Sequence, residues 1–132
     1  MQVRWIDDEV VLAIHRRQLA EHGGLDGVRD EGMLMSALAK PPNVHAYGGE
    51  EVDFPALAGA YAYGIARNHP FLDGNKRTAF VVCRTFLLLN GLDLTASRED
   101  RYQTFLSLAD GTLDEDALTG WLRHNVNPAG SV

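Results

Sequence analysis

The sequence predicts an all-α fold: a compact bundle of about six helices around a central buried helix, in a single domain over residues 1–132. Three observations lead there. Helix start and stop signals alternate along the chain, with no convincing strand between them. Apolar residues recur at helical spacing, as in Phe54, Leu57, Ala58, Tyr61 and Ile65. Between residues 78 and 89 only Arg84 and Thr85 are strongly polar, and a helix apolar all round belongs in the centre of a fold.

In chain order, Asp7 or Asp8 caps a first helix through about Glu21, with Gly23-Gly24 just past its end. Asp30 opens a second through Ala39, with Leu34, Ala37 and Leu38 as its apolar stripe and Pro41-Pro42 as its stop. Residues 41–52 read as a loop or small hairpin flap. Asp53 restarts helix, with Pro55 in the first turn. Gly59 and Gly64 cost helix propensity there, which close approach of a neighbouring helix would offset. Asn68-His69-Pro70 breaks this helix, and the next runs from about Asn75 to Asn90-Gly91. Ser97 caps a helix ending at Gly111, with Tyr102, Phe105, Leu106 and Ala109 as its stripe. A last helix from about Asp114 to Asn125 turns Ala117, Leu118, Trp121 and Leu122 inward. The residues from Asn127 onward read as a frayed tail.

Composition bounds the function. A chain of 132 residues, 45% hydrophobic and 23% charged, forms a core without disulfide or metal staples. A single cysteine, Cys83, excludes an internal disulfide and a multi-cysteine zinc site; it reads as a buried, inert thiol and suits a reducing cytosol. No apolar run approaches the roughly 20 residues of a membrane span, and the N-terminus lacks the basic region and apolar core of a secretory signal. A cytoplasmic location is the expectation. The formal net charge of −6 argues against broad nucleic-acid binding and fits a protein partner carrying basic residues.

The chemistry concentrates at His69-Pro-Phe-Leu-Asp-Gly-Asn-Lys-Arg77, where a loop becomes a helix. The first N–H groups of a helix have no internal partner and, with the helix dipole, attract anions. Gly74 lets the chain curl and a ligand approach. Lys76 and Arg77 add two cations, so the turn suits phosphate. The spacing of a P-loop is absent. Asp73 beside such cations makes sense if a metal ion intervenes, and a carboxylate with nucleotide phosphates is a usual way to hold Mg²⁺. His69 can accept a proton near neutral pH, as an attacking hydroxyl requires. Singly, His69 could end a helix, Asp73 could be a cap, and Lys76 and Arg77 a solvated helix start. In this order they meet several requirements of one reaction, phosphoryl or nucleotidyl transfer.

The stretch resembles the Fic/Doc superfamily, whose Fic branch carries His-Pro-Phe-x-Asp/Glu-Gly-Asn-Gly-Arg-x-x-Arg. Here Lys76 replaces the second glycine and Phe80 the last arginine, and both departures match the Doc branch with its Asn-Lys-Arg signature. The run Gly23-Gly24-Leu25-Asp26-Gly27-Val28-Arg29-Asp30 is similar to the Doc N-terminal region. The resemblance implies a small helical toxin of a toxin–antitoxin pair. It implies a kinase that phosphorylates a threonine of elongation factor Tu with ATP and Mg²⁺ and so stops translation. By it His69 would be the general base and Asp73 the metal ligand, with Gly74, Asn75, Lys76 and Arg77 binding the nucleotide phosphates. A lysine at position 76 would obstruct the space a glycine leaves for an α-phosphate, so the nucleotide could bind turned around. The 41–52 segment would be the best candidate to align the target peptide. No internal inhibitory Ser/Thr-x-x-x-Glu-Gly/Asn motif is present, so inhibition would come from a separate Phd-like antitoxin whose disordered tail folds on binding. AMP transfer, or a non-catalytic binding module of the same fold, is the alternative.

Overall fold

The computed structural model describes residues 2–130 and is built of six α-helices and one short two-stranded sheet. Helices α1 (Asp8–His22), α2 (Glu31–Gly48), α3 (Phe54–Asn68), α4 (Asn75–Leu89), α5 (Arg98–Asp110) and α6 (Glu115–His124) surround one continuous apolar core. The capping signals hold: Asp30, Asp53, Ser97 and Asp114 each accept a hydrogen bond from the backbone N–H three residues on. Asp7 precedes α1 without such a bond.

The buried centre is α3, with ten of its fifteen residues buried. The sequence points instead to 78–89, but Leu88 and Leu89 at the end of α4 are exposed. Small residues explain the difference. Gly64 lies so close to α2 that a Cβ there would sit 3.2 Å from Ala37 Cα, and one at Gly59 would sit 2.7 Å from Thr119 Oγ1 of α6. The two glycines thus admit neighbours on two sides of α3.

Three sequence expectations are corrected. Pro41 and Pro42 do not stop α2, which runs on to Gly48 and a 3-10 turn at Gly49–Glu51, so 41–52 is neither loop nor hairpin flap. Proline's fixed φ suits a helix, and its cost is the lost ladder bond and the clash with the preceding turn. Here burial of Leu34, Ala37, Leu38 and Pro41 outweighs that cost, and His45 beyond them packs edge-on against Trp5 at 5.8 Å. Second, β1 (Leu92–Leu94) pairs antiparallel with β2 (Val126–Pro128). The expected frayed tail is therefore held in register through Pro128, and Ala129 N–H donates to Gly91 O at 2.8 Å; Ser131 and Val132 lie outside the described residues. Third, α5 buries Phe105 and Leu108, while Tyr102 is 60% exposed; in α6, Leu118 and Leu122 are buried and Ala117 is exposed.

Candidate active site

The loop between α3 and α4 carries the motif and is held from three directions. Helix α3 ends at His69 in the left-handed region (φ 47°), the one positive-φ non-glycine among the described residues. A side chain there is strained. Arg29 stabilises it: Nε donates to His69 O at 2.6 Å and Nη2 to Asn68 O at 2.8 Å, satisfying carbonyls the helix end leaves open. The segment before α2 then runs along the loop. Arg29 N–H donates to Pro70 O (2.7 Å), Leu72 N–H donates to Gly27 O (3.0 Å), and Val28 bridges Phe71.

From below, Phe71 is buried and stacks on the imidazole of His15 from α1, ring centroids 3.7 Å apart and nearly parallel at 9°. His15 Nε2 lies 2.8 Å from Asp73 O. Across the loop, Asn75 Oδ1 accepts from Phe71 N–H and its Nδ2 donates to Phe71 O, both at 3.0 Å. The Asn75 side chain therefore faces the loop, and the atom it offers an incoming anion is its backbone N–H.

Gly74 (φ 79°) is the N-cap of α4 and gives the helix no side-chain cap. The first bond of the helix ladder is Thr78 N–H to Gly74 O at 2.9 Å, so the N–H groups of Asn75, Lys76 and Arg77 have no intrahelical partner. This is an open anion cradle at the positive end of a fifteen-residue helix.

Beside the cradle, α4 and α5 enclose a cavity of about 300 Å³ lined by His22, Lys76, Arg77, Phe80, Arg84, Arg98, Arg101, Tyr102 and Phe105. No carboxylate lines it, although the chain has 18 acidic against 12 basic residues. Among the described residues, Arg84 is the only lining lysine or arginine within 4 Å of a carboxylate, its Nε 3.5 Å from Asp93 Oδ1, and His22 Nε2 lies 3.9 Å from Glu21. Lys76 Nζ sits 4.9 Å over the Tyr102 ring, and Arg101 sits 5.6 Å over Phe80. Aromatic faces hold these cations without neutralising them. Together the positions offer uncompensated charge to an anionic ligand with a planar ring.

His69, Asp73, Gly74 and Asn75 do not line that cavity; Lys76 and Arg77 join it to the loop. The imidazole of His69 is exposed and has no hydrogen-bond partner among the described residues. Asp73 is also exposed. Its Oδ2 accepts from Leu25 N–H at 2.7 Å, which leaves Oδ1 without a partner among the described residues. Among the described residues no group of three or more His, Cys, Asp or Glu is placed to hold a metal ion. One free carboxylate oxygen beside an anion cradle would fit Mg²⁺, an ion that keeps several waters and needs few protein ligands.

The sequence profile of the Fic/DOC family matches residues 5–87. The chain belongs to the Fic/DOC family. Among curated relatives it is 38% identical over 105 residues to "Toxin Doc" of Mycolicibacterium smegmatis, covering 76% of this chain and 78% of that one. It is 34% identical over 98 residues to "Protein kinase doc" of Escherichia phage P1, covering 74% and 76%. The family match reaches residue 87 and takes in α1, the bracing segment and the motif, whereas Arg98, Arg101 and Tyr102 of α5 lie beyond it. Sequence reasoning on this Fic/DOC chain missed His15, Arg29 and the α5 cations. Their positions in sequence carry no local signal, and Tyr102 reads there as part of an apolar stripe.

Proposed function

We propose that this Fic/DOC protein is a Doc-type toxin that transfers the γ-phosphate of ATP to a hydroxyl of a translation factor, with a threonine of elongation factor Tu as the expected target. The observation that carries the proposal is the carboxylate-free cationic cavity opening beside the uncapped start of α4. It supplies the phosphate charge complementarity that phosphoryl transfer depends on.

In this reading the free imidazole of His69 accepts the proton of the target hydroxyl as its oxygen attacks the γ-phosphorus. The bond from that phosphorus to the β,γ-bridging oxygen breaks, and ADP leaves. The N–H groups of Asn75, Lys76 and Arg77 and the side chains of Lys76 and Arg77 hold the phosphates, with Gly74 opening the turn to them. Asp73 Oδ1 is the protein ligand for Mg²⁺, which supplies charge neutralisation on the phosphates when bound. A lysine side chain at position 76, laid over Tyr102, occupies space that glycine leaves open, and this favours γ- over α-transfer.

The names of the two relatives support the toxin and kinase parts of the reading. The protein acts in the cytoplasm, where its target is, and no helix among the described residues is long and apolar enough to cross a membrane. A separate Phd-like antitoxin, with a tail that folds on binding, restrains it. The test is transfer from ATP labelled in the α- or γ-phosphate to purified elongation factor Tu. Label from γ alone supports the kinase, label from α replaces it with AMP transfer, and no label from either removes the catalytic reading.

A further inference from the structure

His15 is 2% exposed, sits 58 residues before Asp73, and touches the motif at two points. Its ring lies flat on Phe71, and its Nε2 is 2.8 Å from Asp73 O. A carbonyl oxygen only accepts, so Nε2 carries the proton and donates it. The bond fixes the peptide plane between Asp73 and Gly74. That plane sets both the direction of the Asp73 side chain and the first turn of α4. His15 and Leu19 pack against Gly74 at ordinary contact distance, a Cβ there lying 3.6 Å from His15 Cδ2 and 3.4 Å from Leu19, so what calls for glycine is its φ of 79°. The carboxylate of Asp73 is meanwhile tied to Leu25 N–H. Helix α1 and the segment after it therefore grip Asp73 by both its carbonyl and its side chain.

We infer that His15 is a positioning residue for the phosphate cradle, acting through its Nε2–H on the Asp73 carbonyl. A buried histidine satisfied by a nearby carbonyl could serve packing alone, and the two roles separate by side-chain chemistry. Gln places an amide N–H where His Nε2–H stands. Asn is too short to reach. Phe keeps the stack on Phe71 and removes the donor.

The experiment measures amide hydrogen exchange at Leu25, Leu72 and Thr78 in native protein and in His15→Gln, His15→Asn and His15→Phe, together with ATP turnover. In the Phe and Asn variants, exchange at these amides rises by about tenfold for loss of one hydrogen bond, while core amides of α3 keep their protection. The Gln variant stays near native. Turnover follows the same order. Displacing a positioned group by about 1 Å costs on the order of 10²-fold in rate, and the loss falls on kcat more than on KM for ATP.

Native exchange at the three amides in His15→Phe would overturn the inference, as would equal effects of Gln and Asn. The turnover arm rests on the phosphotransfer reading. If the native protein transfers nothing, that reading fails, and the exchange data still decide the role of His15.

Discussion

Replacing Asn75 with alanine removes both hydrogen bonds that tie the loop across itself, and the structure sets the size of the loss. The Phe71 N–H and C=O that those bonds satisfy belong to a residue 1% exposed. Leaving a buried donor or acceptor unmade costs about 1–3 kcal/mol each. Because the Asn75 side chain is itself half-buried, water recovers part of this, and we expect a net loss of about 2–3 kcal/mol. For a domain of this size that corresponds to a fall in Tm of roughly 6–15 °C.

Asn75→Asp keeps an acceptor for Phe71 N–H and places a carboxylate in the first turn of α4, worth about 0.3–1 kcal/mol with the helix dipole. It sets no donor against Phe71 O, so its stability should fall between the other two. Urea and thermal unfolding followed by circular dichroism measure the series. An alanine variant within about 0.5 kcal/mol of native, below what one lost hydrogen bond costs, refutes the reasoning. So does an aspartate variant less stable than alanine. Native stability combined with lost ATP affinity in Asn75→Ala would put the side chain on the phosphates instead of on the loop.

Gly64→Ala drives a Cβ to 3.2 Å from Ala37 Cα and 3.4 Å from Ala37 O, backbone atoms that cannot step aside. The urea midpoint should drop by an amount equivalent to about 1–3 kcal/mol; a rise would mean α2 and α3 separate at no cost. Asp53, hydrogen-bonded by Arg123 at 2.8 Å and by Ala56 N–H, has a carboxyl held below its ordinary value of 3.8. A depressed folded pKa contributes stability that is fully present above the unfolded value and is lost as pH falls through the folded one. The native advantage over Asp53→Asn should therefore shrink as pH drops below about 4, by roughly 1 kcal/mol for so exposed a pair. An advantage that stays constant with pH contradicts it. Full burial pushes the Cys83 thiol up to about 12. Iodoacetamide should label it only in denaturant, and rapid labelling of folded protein would show that α4 opens.

What the sequence disclosed was local. The motif from His69 to Arg77 is contiguous, so its chemistry could be read without a fold, as could the caps at Asp30, Asp53, Ser97 and Asp114. What it hid was long-range. His15 reaches Asp73 across 58 residues, Arg29 reaches His69 across 40, and Arg98 and Arg101 face Lys76 only because α5 folds back beside α4. Pro41-Pro42 misled because packing against α3 outweighs two missing ladder bonds, and propensity cannot weigh packing. The strands at Leu92–Leu94 and Val126–Pro128 are three residues each, too short to show an alternating pattern. Asn75 shows both sides. Its place in the motif was plain, but only the structure turns its amide toward Phe71.

The central claim is that the loop, the cradle and the cavity together move a γ-phosphate. The most direct measurement is intact mass and label on purified elongation factor Tu after incubation with native protein, His69→Ala or Lys76→Gly and doubly labelled ATP. The expected result is one phosphate per target from native protein with label from γ only, at least about 10²-fold slower transfer with His69→Ala, and no faster γ-transfer with Lys76→Gly. A target gaining AMP from the native protein, or unimpaired transfer by His69→Ala, would contradict it.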